Sequence, residues 1–159
     1  MKKLLIFLLL SLLSVAVFSQ EFPAKSGTLV TDYTNTLSPQ QKQSLEQKLV
    51  AFNDSTSIQL AVVVMKSTGE YDINEYAVGL GRKWGIGGKE KNTGVLLLIA
   101  VGDRKMAIQT GYGMEGVLPD IYTKQIQENN IKPYFKSGDY YSGINAGVDA
   151  IISVTKGEY

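Results

Sequence analysis

Five side chains in this sequence have types and positions that could support chemistry. They are Asp32, Asp103, Arg104, Glu115 and Asp120. The chain of 159 residues contains no histidine and no cysteine. A Ser-His-Asp triad, a cysteine nucleophile and a zinc site are therefore excluded. The chemistry that remains uses carboxylates, hydroxyls, cationic side chains, backbone N–H groups, or a hard cation held by oxygen atoms.

Glu115 and Asp120 lie in and just after a glycine-rich stretch, residues 111–119. Glycine lets backbone groups approach a ligand closely, and a helix that starts near Asp120 adds free N–H groups and a positive dipole end. Carboxylates with carbonyls suit calcium at about 2.3–2.6 Å, whereas magnesium needs tighter octahedral geometry. Both residues are candidate ligands of a divalent cation or a phosphate. The alternative is that Asp120 only caps a helix and Glu115 is a solvated loop residue.

Asp32, Asp103 and Arg104 each have a structural alternative as well. Asp32 is either a metal ligand or the acceptor of an Asx hydrogen bond before the first helix. Asp103 and Arg104 fit a hairpin turn between two apolar segments. In the functional alternative, Asp103 is a metal ligand and Arg104 binds a phosphate through two parallel hydrogen bonds.

The N-terminus has the pattern of a secretory signal peptide. Lys2 and Lys3 precede an apolar run, residues 4–18, that is too short to span a bilayer comfortably, and a small residue follows at Ser19. We expect a signal peptide at residues 1–19, a flexible segment at residues 20–27 and one domain at residues 28–159. The protein should be exported, either periplasmic or extracellular. No second apolar run is long enough for a transmembrane anchor.

The charge balance argues against nucleic acid as a partner. The chain has 16 basic and 15 acidic residues. Removal of Lys2 and Lys3 with the signal peptide leaves 14 basic residues and a net charge of −1. This balance gives no electrostatic surface for nucleic acid or anionic lipid.

Apolar spacing and capping residues predict alternating strands and helices. Strands are expected at residues 28–31, 58–65, 95–101 and 105–110, the last two joined as a hairpin. Four helices are expected: one from Ser38 to about residue 53, one capped by Asp72, one capped by Asp120 and reaching about residue 130, and one capped by Asp139 after a break at Pro133. The pattern predicts an α/β fold, a three-layer α/β/α sandwich with a small mixed sheet.

This topology divides the candidate residues between two ends of the sheet. Asp32, Asp103 and Arg104 follow strands at the end where open α/β sheets usually bind ligands. The glycine-rich loops at residues 85–94 and 111–119 should lie at the opposite end with Glu115 and Asp120, because the hairpin reverses the chain. A single site that uses both sets is not expected.

The sequence also resembles the TPM domain family, known from a thylakoid-lumen phosphatase, a photosystem II repair protein and many bacterial exported proteins. The matching stretches are Leu29-Val-Thr-Asp32, Trp84-Gly-Ile-Gly-Gly88, Asn92-Thr-Gly-Val-Leu-Leu-Leu-Ile99, Asp103-Arg104, Gly111-Tyr-Gly-Met-Glu115, Leu118-Pro-Asp120, Pro133-Tyr-Phe-Lys136 and Gly138-Asp-Tyr140. The resemblance implies a Rossmann-like sandwich, divalent metal binding (calcium often), and in some members hydrolysis of phosphate esters or nucleotides.

Two functions are consistent with these residues and this resemblance. The first is a metal-dependent phosphatase acting on small phosphate esters or nucleotides, with Arg104 on the phosphate and calcium or magnesium bound at one of the two ends by carboxylates from four candidates. The four are Asp32, Asp103, Glu115 and Asp120. The second is a non-catalytic calcium-binding module that engages a protein partner in the envelope.

Overall fold

The computed structural model describes residues 19–159. The predicted signal peptide lies outside the described residues except for Ser19. The strands are β1 (Val30–Asp32), β2 (Gln59–Met65), β3 (Gly94–Ala100) and β4 (Lys105–Thr110). The helices are α1 (Pro39–Thr56), α2 (Ile73–Trp84), α3 (Asp120–Gln125), α4 (Lys132–Lys136) and α5 (Tyr140–Thr155), with a 3₁₀ turn at Tyr112–Met114 and a π-helical segment at Ile126–Ile131.

The four strands form one mixed sheet in the order β1-β2-β3-β4. β1 pairs with β2 and β2 with β3 in parallel, so that Asp32 is level with Val64, and Val64 with Ile99. β4 pairs with β3 antiparallel, with Ala100 opposite Lys105. The expected mixed sheet and its terminal hairpin are confirmed.

The two central strands are buried on both faces, which makes the protein a sandwich. Along β3, Val95, Leu97 and Ile99 pack with α1, α5 and the π-helical segment. The alternate residues Leu96 and Leu98 pack with α2 on the other face. This is the alternation that the side-chain period of a strand imposes. The expected α/β/α arrangement is confirmed. None of the helices within residues 19–159 is both long enough and apolar enough to cross a membrane.

Three helices begin where capping chemistry predicts. Ser38 caps α1 in a capping box, accepting from the backbone N–H of Gln41 while the Gln41 side chain accepts from the Ser38 N–H. Asp72 caps α2 and Asp139 caps α5, each accepting a backbone N–H of the first turn. These caps fix the positions of the loops at the ends of the sheet.

The third helix differs from the sequence prediction in two ways. Its N-cap is Pro119, and Asp120 is the first helical residue, whose side chain makes no capping hydrogen bond. The expected break at Pro133 is also wrong, because the chain stays helical through the π-helical segment and α4. Pro133 lies in the first turn of α4. Proline is tolerated there because it has no N–H to donate and the first turn of a helix does not need one.

Residues 19–27 form no helix or strand, but two of them contact the domain. The ring of Phe22 packs edge-on against Tyr76, with ring centres 5.1 Å apart. The indole N–H of Trp84 donates to the carbonyl of Pro23 at 2.8 Å. The segment expected to be flexible is therefore attached to α2 at these two residues.

Candidate functional site

Asp103 lies at the end of the sheet where the parallel strands finish, in the turn that joins β3 to β4. Its Oδ2 accepts two hydrogen bonds from the loop after β2, one from Ser67 Oγ and one from the backbone N–H of Thr68, both 3.0 Å. The backbone N–H of Gly102 also donates to the carbonyl of Lys66 at 2.7 Å. The turn and the loop are thus held together by three hydrogen bonds, which fixes the carboxylate of Asp103.

These hydrogen bonds set the charge state of Asp103. The backbone N–H of Thr68, followed by the Ser67 hydroxyl, lowers the pKa of Asp103 below its ordinary value of 3.8, and the positive charge of Lys105 adds to the effect. The carboxylate is therefore ionised at neutral pH. It is a good ligand for a cation and a poor proton acceptor.

Arg104 has an unusual backbone conformation for a non-glycine residue. Its φ of 53° is in the left-handed region, which costs an L-residue with a β-carbon about 1–2 kcal/mol. Its side chain lines a cavity of about 590 Å³ between the β3–β4 turn and the segment that joins α4 to α5. The structure therefore places the predicted phosphate-binding residue in the wall of a cavity at the expected end of the sheet.

The lining of this cavity, here called the basic cavity, is strongly biased in charge. Three lysines join Arg104, namely Lys105, Lys132 and Lys136, and none of the lining residues is acidic. Lys132 is paired with Glu128, at 2.7 Å. Arg104 and Lys136 take part in no salt bridge within residues 19–159. Uncompensated cations around a concave surface favour an anionic ligand.

Asp32 lies at the same end of the sheet but is fully engaged in a turn. Its Oδ1 accepts from the N–H and hydroxyl of Thr34, at 2.9 and 2.8 Å, and its Oδ2 accepts from the N–H of Leu37 at 2.8 Å. This is the Asx arrangement that one of the two sequence interpretations predicts. A role as metal ligand would have to use the remaining lone pairs of these oxygens.

The glycine-rich loops meet each other at the opposite end of the sheet. The N–H of Gly111 donates to the carbonyl of Gly94 at 2.9 Å, and the N–H of Gly113 donates to the carbonyl of Asn92 at 3.1 Å. A β-carbon at residue 111 or 113 would collide with the backbone carbonyl of Asn92 or Lys91. These two glycines therefore allow the backbones of the two loops to lie against each other, which differs from the close approach to a ligand that the sequence suggests.

Glu115 and Asp120 are both exposed at this opposite end. Glu115 lines a second cavity of about 490 Å³ between α2, β4 and the glycine-rich loops, whereas Asp120 does not. The charged residues of that cavity also include Arg82 and Lys89. Two cations beside one carboxylate make this cavity a less favourable place for a metal ion.

The structure therefore brings the predicted site residues together only in part. Asp103 and Arg104 share one turn, Asp32 is at the same end, and Glu115 and Asp120 are at the other. Within residues 19–159, no three acidic side chains lie close enough to hold a metal ion. Sequence reasoning missed the lysines of the basic cavity. The available signal was Lys132 and Lys136, whose spacing of four places them on one face of a helix once Pro133 is recognised as a helical residue.

The fold and the cavity at its strand ends define the class of protein, an α/β sandwich with a concave basic surface where β3 ends. A family model for the TPM domain matches residues 30–154. The chain therefore belongs to the TPM domain family, as the sequence resemblance predicts.

Solved structures show the same fold. The solution NMR structure of the N-terminal domain of a protein from P. gingivalis is 35% identical, with a TM-score of 0.76, and the match covers 82% of this chain and 83% of that one. The N-terminal domain of cg2496 from Corynebacterium glutamicum is 18% identical, with a TM-score of 0.66 and coverage of 85% and 84%. The BA42 protein from the psychrophilic Bizionia argentinensis is 20% identical, with a TM-score of 0.69 and coverage of 80% and 86%. No curated protein is similar enough to match this chain.

Proposed function

We propose that this exported TPM domain is a divalent-cation-dependent phosphatase acting on small phosphate esters or nucleotides at the end of the sheet where β3 finishes. The observation that carries the proposal is the turn at residues 101–104. That turn places Arg104 in the wall of the basic cavity, and the preceding residue of the same turn is the ionised Asp103, whose carboxylate is held by the loop after β2. An anion-binding surface beside a carboxylate is the combination that hydrolysis of a phosphate ester requires.

The donor set near Asp103 fits a weakly held, mostly hydrated cation. Only Oδ2 of Asp103 is engaged by Ser67 and Thr68, so Oδ1 is available as a ligand. Magnesium, and calcium in weak sites, is commonly bound by one or two carboxylates, waters and the phosphate of the substrate. When bound, such a cation supplies neutralisation of phosphate charge and activation of a water molecule.

The side chains of the protein have distinct parts in this proposal. Arg104 binds the phosphate oxygens with paired hydrogen bonds, because its planar guanidinium matches their spacing. Lys105 adds positive charge near Asp103. Asp103 orients the cation and water rather than taking the proton, because its lowered pKa makes it a weak base. With no histidine in the chain, positioning and charge supply the catalysis.

The experiment is phosphate release from a nucleotide and from nitrophenyl phosphate, with magnesium, calcium or manganese and with a chelator. Activity should depend on the added cation, and Asp103→Asn and Arg104→Gly should each lower it at least tenfold. Asp54→Asn serves as a matched control, because Asp54 is an exposed carboxylate of α1. Absence of phosphate release with all three metals would reject the proposal.

The competing proposal is a calcium-binding module without turnover that engages an envelope protein through the glycine-rich loops. In its favour, Glu115 and Asp120 are exposed and accept no side-chain hydrogen bond from within the described residues, so both carboxylates are available. A cation that binds only an ordered form of these loops would shift them toward it. In that case calcium should raise the melting temperature of the wild type but not of Glu115→Gln, and no phosphate should be released. No change in melting temperature at millimolar calcium would reject this alternative.

A further inference from the structure

We propose that the free edge of β4, together with the second cavity between α2 and β4, binds an extended peptide of a protein partner. The peptide adds a fifth strand to the sheet, antiparallel to β4, and places apolar side chains and one carboxylate in the second cavity. That cavity lies at the end of the sheet opposite to the basic cavity. The inference is therefore independent of the proposed phosphatase, and the binding needs no cation.

β4 is an edge strand whose outer backbone groups are free to pair. Its one neighbour in the sheet is β3, which pairs with it antiparallel. In such a pair, alternate residues point their N–H and C=O groups at the neighbouring strand. The N–H of Gly111 donates to the carbonyl of Gly94, so the alternation continues from this pair back along β4. Three residues of β4 thus point an N–H and a carbonyl outward, namely Met106, Ile108 and Thr110.

The sequence of β4 does not shield this edge. Edge strands of natural proteins are commonly shielded by charged side chains, by proline or by a β-bulge. Residues 106–110 contain no charged residue and no proline, and their register with β3 is continuous. Within residues 19–159, no hydrogen bond from another segment reaches the outward backbone groups. An added strand pairs with all of them, which is the mode of recognition called β-strand addition.

The second cavity receives the side chains on one face of the added strand. Its α2 wall includes Ala77, Val78 and Gly81, and Leu96 of β3 also lines it. A β-carbon at Gly81 would meet only the side chain of Leu96, at 3.9 Å, so the space beside this glycine is open. Residues of the added strand that share a face with Gln109 point into the cavity, because paired residues lie on the same face of a sheet. Apolar side chains fit this wall.

The end of the second cavity at the glycine-rich loops is positively charged. Arg82 and Lys89 line it beside a single carboxylate, Glu115. Neither cation takes part in a salt bridge within residues 19–159. The excess positive charge favours an acidic side chain at this end of the peptide. Tyr112 lines the same end and is 78% exposed, so its ring is available to the partner.

Charge also selects the peptide over a second copy of this chain. Antiparallel pairing of two β4 strands about Ile108 would put Lys105 of the second copy opposite Gly111. That lysine would then lie at the end of the cavity where Arg82 and Lys89 already stand. Like charges brought together oppose association, whereas an acidic residue at the same position favours it.

The test is calorimetric titration, in the presence of a chelator, with the peptide acetyl-Glu-Thr-Val-Thr-Val-Thr-amide. Antiparallel pairing puts its glutamate opposite Gly111 and its two valines opposite Gln109 and Ala107, on the face of the cavity. This peptide should bind about tenfold more tightly than the same peptide with glutamine in place of glutamate, the effect of one charge-assisted hydrogen bond. N-methylation of the second threonine removes the N–H that faces Ile108 and should abolish binding. N-methylation of the first valine, whose N–H faces solvent, should change the affinity less than twofold.

Two variants of the protein test the same contacts from the other side. Arg82→Gln should weaken binding of the glutamate peptide about tenfold and leave the glutamine peptide unchanged. Its control is Lys83→Gln, an exposed lysine of α2 outside the cavity. Thr110→Pro removes an outward N–H and leaves the pairing with β3 intact, since proline is tolerated on an edge strand, and it should abolish binding. Thr110→Val keeps the N–H and should bind as the wild type does.

Three results would overturn the inference. The first is no binding of the glutamate peptide at millimolar concentration. The second is an equal effect of N-methylation at the second threonine and at the first valine, which would show that the backbone of the peptide does not pair with β4. The third is a wild-type dimer in sedimentation that Thr110→Pro converts to a monomer, which would assign the edge to a second copy. The N-methylated peptides require no change to the protein, so their outcome does not depend on the folding of a variant.

Discussion

The carboxylate of Asp103 accepts a hydrogen bond from the backbone N–H of Thr68, 3.0 Å away, and so joins two loops that are 35 residues apart in the sequence. Both loops follow a central strand, β2 or β3, at the end of the sheet. The bond holds the turn that carries Arg104 and keeps Asp103 ionised. Its effect on stability and its effect on the site can be measured separately.

The first prediction concerns the pH dependence of Asp103. Its pKa is lower in the folded protein than in the unfolded chain, so it stabilises the fold above its ordinary pKa of 3.8, and this contribution is lost as the pH falls through the lower, folded value. Asp103→Asn keeps the shape of the side chain and removes the titration. Urea unfolding should show the largest difference in free energy between wild type and variant near neutral pH, and a smaller one below the ordinary pKa. Asp72 and Asp139 also have lowered pKa values, but they titrate in both proteins and cancel. A difference that does not change with pH would contradict the assignment.

The second prediction separates function from stability at Arg104. Glycine adopts a positive φ without the steric cost that Arg104 bears, although it gives the unfolded chain more freedom. Arg104→Gly should therefore have a free energy of unfolding equal to that of the wild type or higher by up to about 1 kcal/mol. Urea unfolding measures this difference. The same variant should bind inorganic phosphate at least tenfold more weakly. A variant that is clearly less stable would show that the Arg104 side chain supports the fold.

The third prediction concerns the contact between the two glycine-rich loops. In Gly113→Ala the new methyl group would collide with the carbonyl of Lys91 and approach Thr93. Overpacking of this kind costs about 1–3 kcal/mol. Gly116→Ala is the matched control, because its methyl group meets nothing within 4 Å. Thermal unfolding should show a lower melting temperature for Gly113→Ala alone. Equal melting temperatures for the two variants would mean that the loops separate easily.

The fourth prediction concerns the attachment of residues 19–27. Phe22→Ala removes a half-buried ring from the surface of α2, which should lower the free energy of unfolding by about 1–2 kcal/mol. Trp84 is the single tryptophan, and its indole is bonded to Pro23, so its fluorescence reports this contact directly. We expect a red shift of the emission in the variant. Unchanged emission and stability would show that the segment is detached in solution.

Most of the fold follows from local signals in the sequence. The valine- and leucine-rich runs of β2 and β3 mark strands that are buried on both faces, and Ser38, Asp72 and Asp139 mark helix starts. These local signals agree with the tertiary structure because each segment has the local preference, for a strand or for a helix start, that its place in the fold requires. The sequence prediction is wrong at Asp120, which is the first residue of α3 and not its cap, and at Pro133, which lies in the first turn of α4, where proline is tolerated.

The candidate site was less accessible to sequence reasoning. Asp103 and Arg104 are adjacent and follow a strand, so their position could be predicted from the hairpin. The lysines of the basic cavity come from α4, whose placement beside the β3–β4 turn depends on the π-helical segment. Pairwise contacts between distant segments leave no periodic pattern in the sequence. That any of the four candidate carboxylates binds a metal remains a prediction, and the structure places them, as expected, at two ends of the sheet.

The central claim is that the functional site lies where β3 ends, and it is tested most directly by a calcium or magnesium titration of isotope-labelled protein, followed amide by amide by NMR. We predict that the largest shifts occur at Ser67, Thr68, Asp103 and Arg104, and that inorganic phosphate strengthens them. Shifts confined to residues 85–94 and 111–120, or no shifts at millimolar cation, would contradict the account.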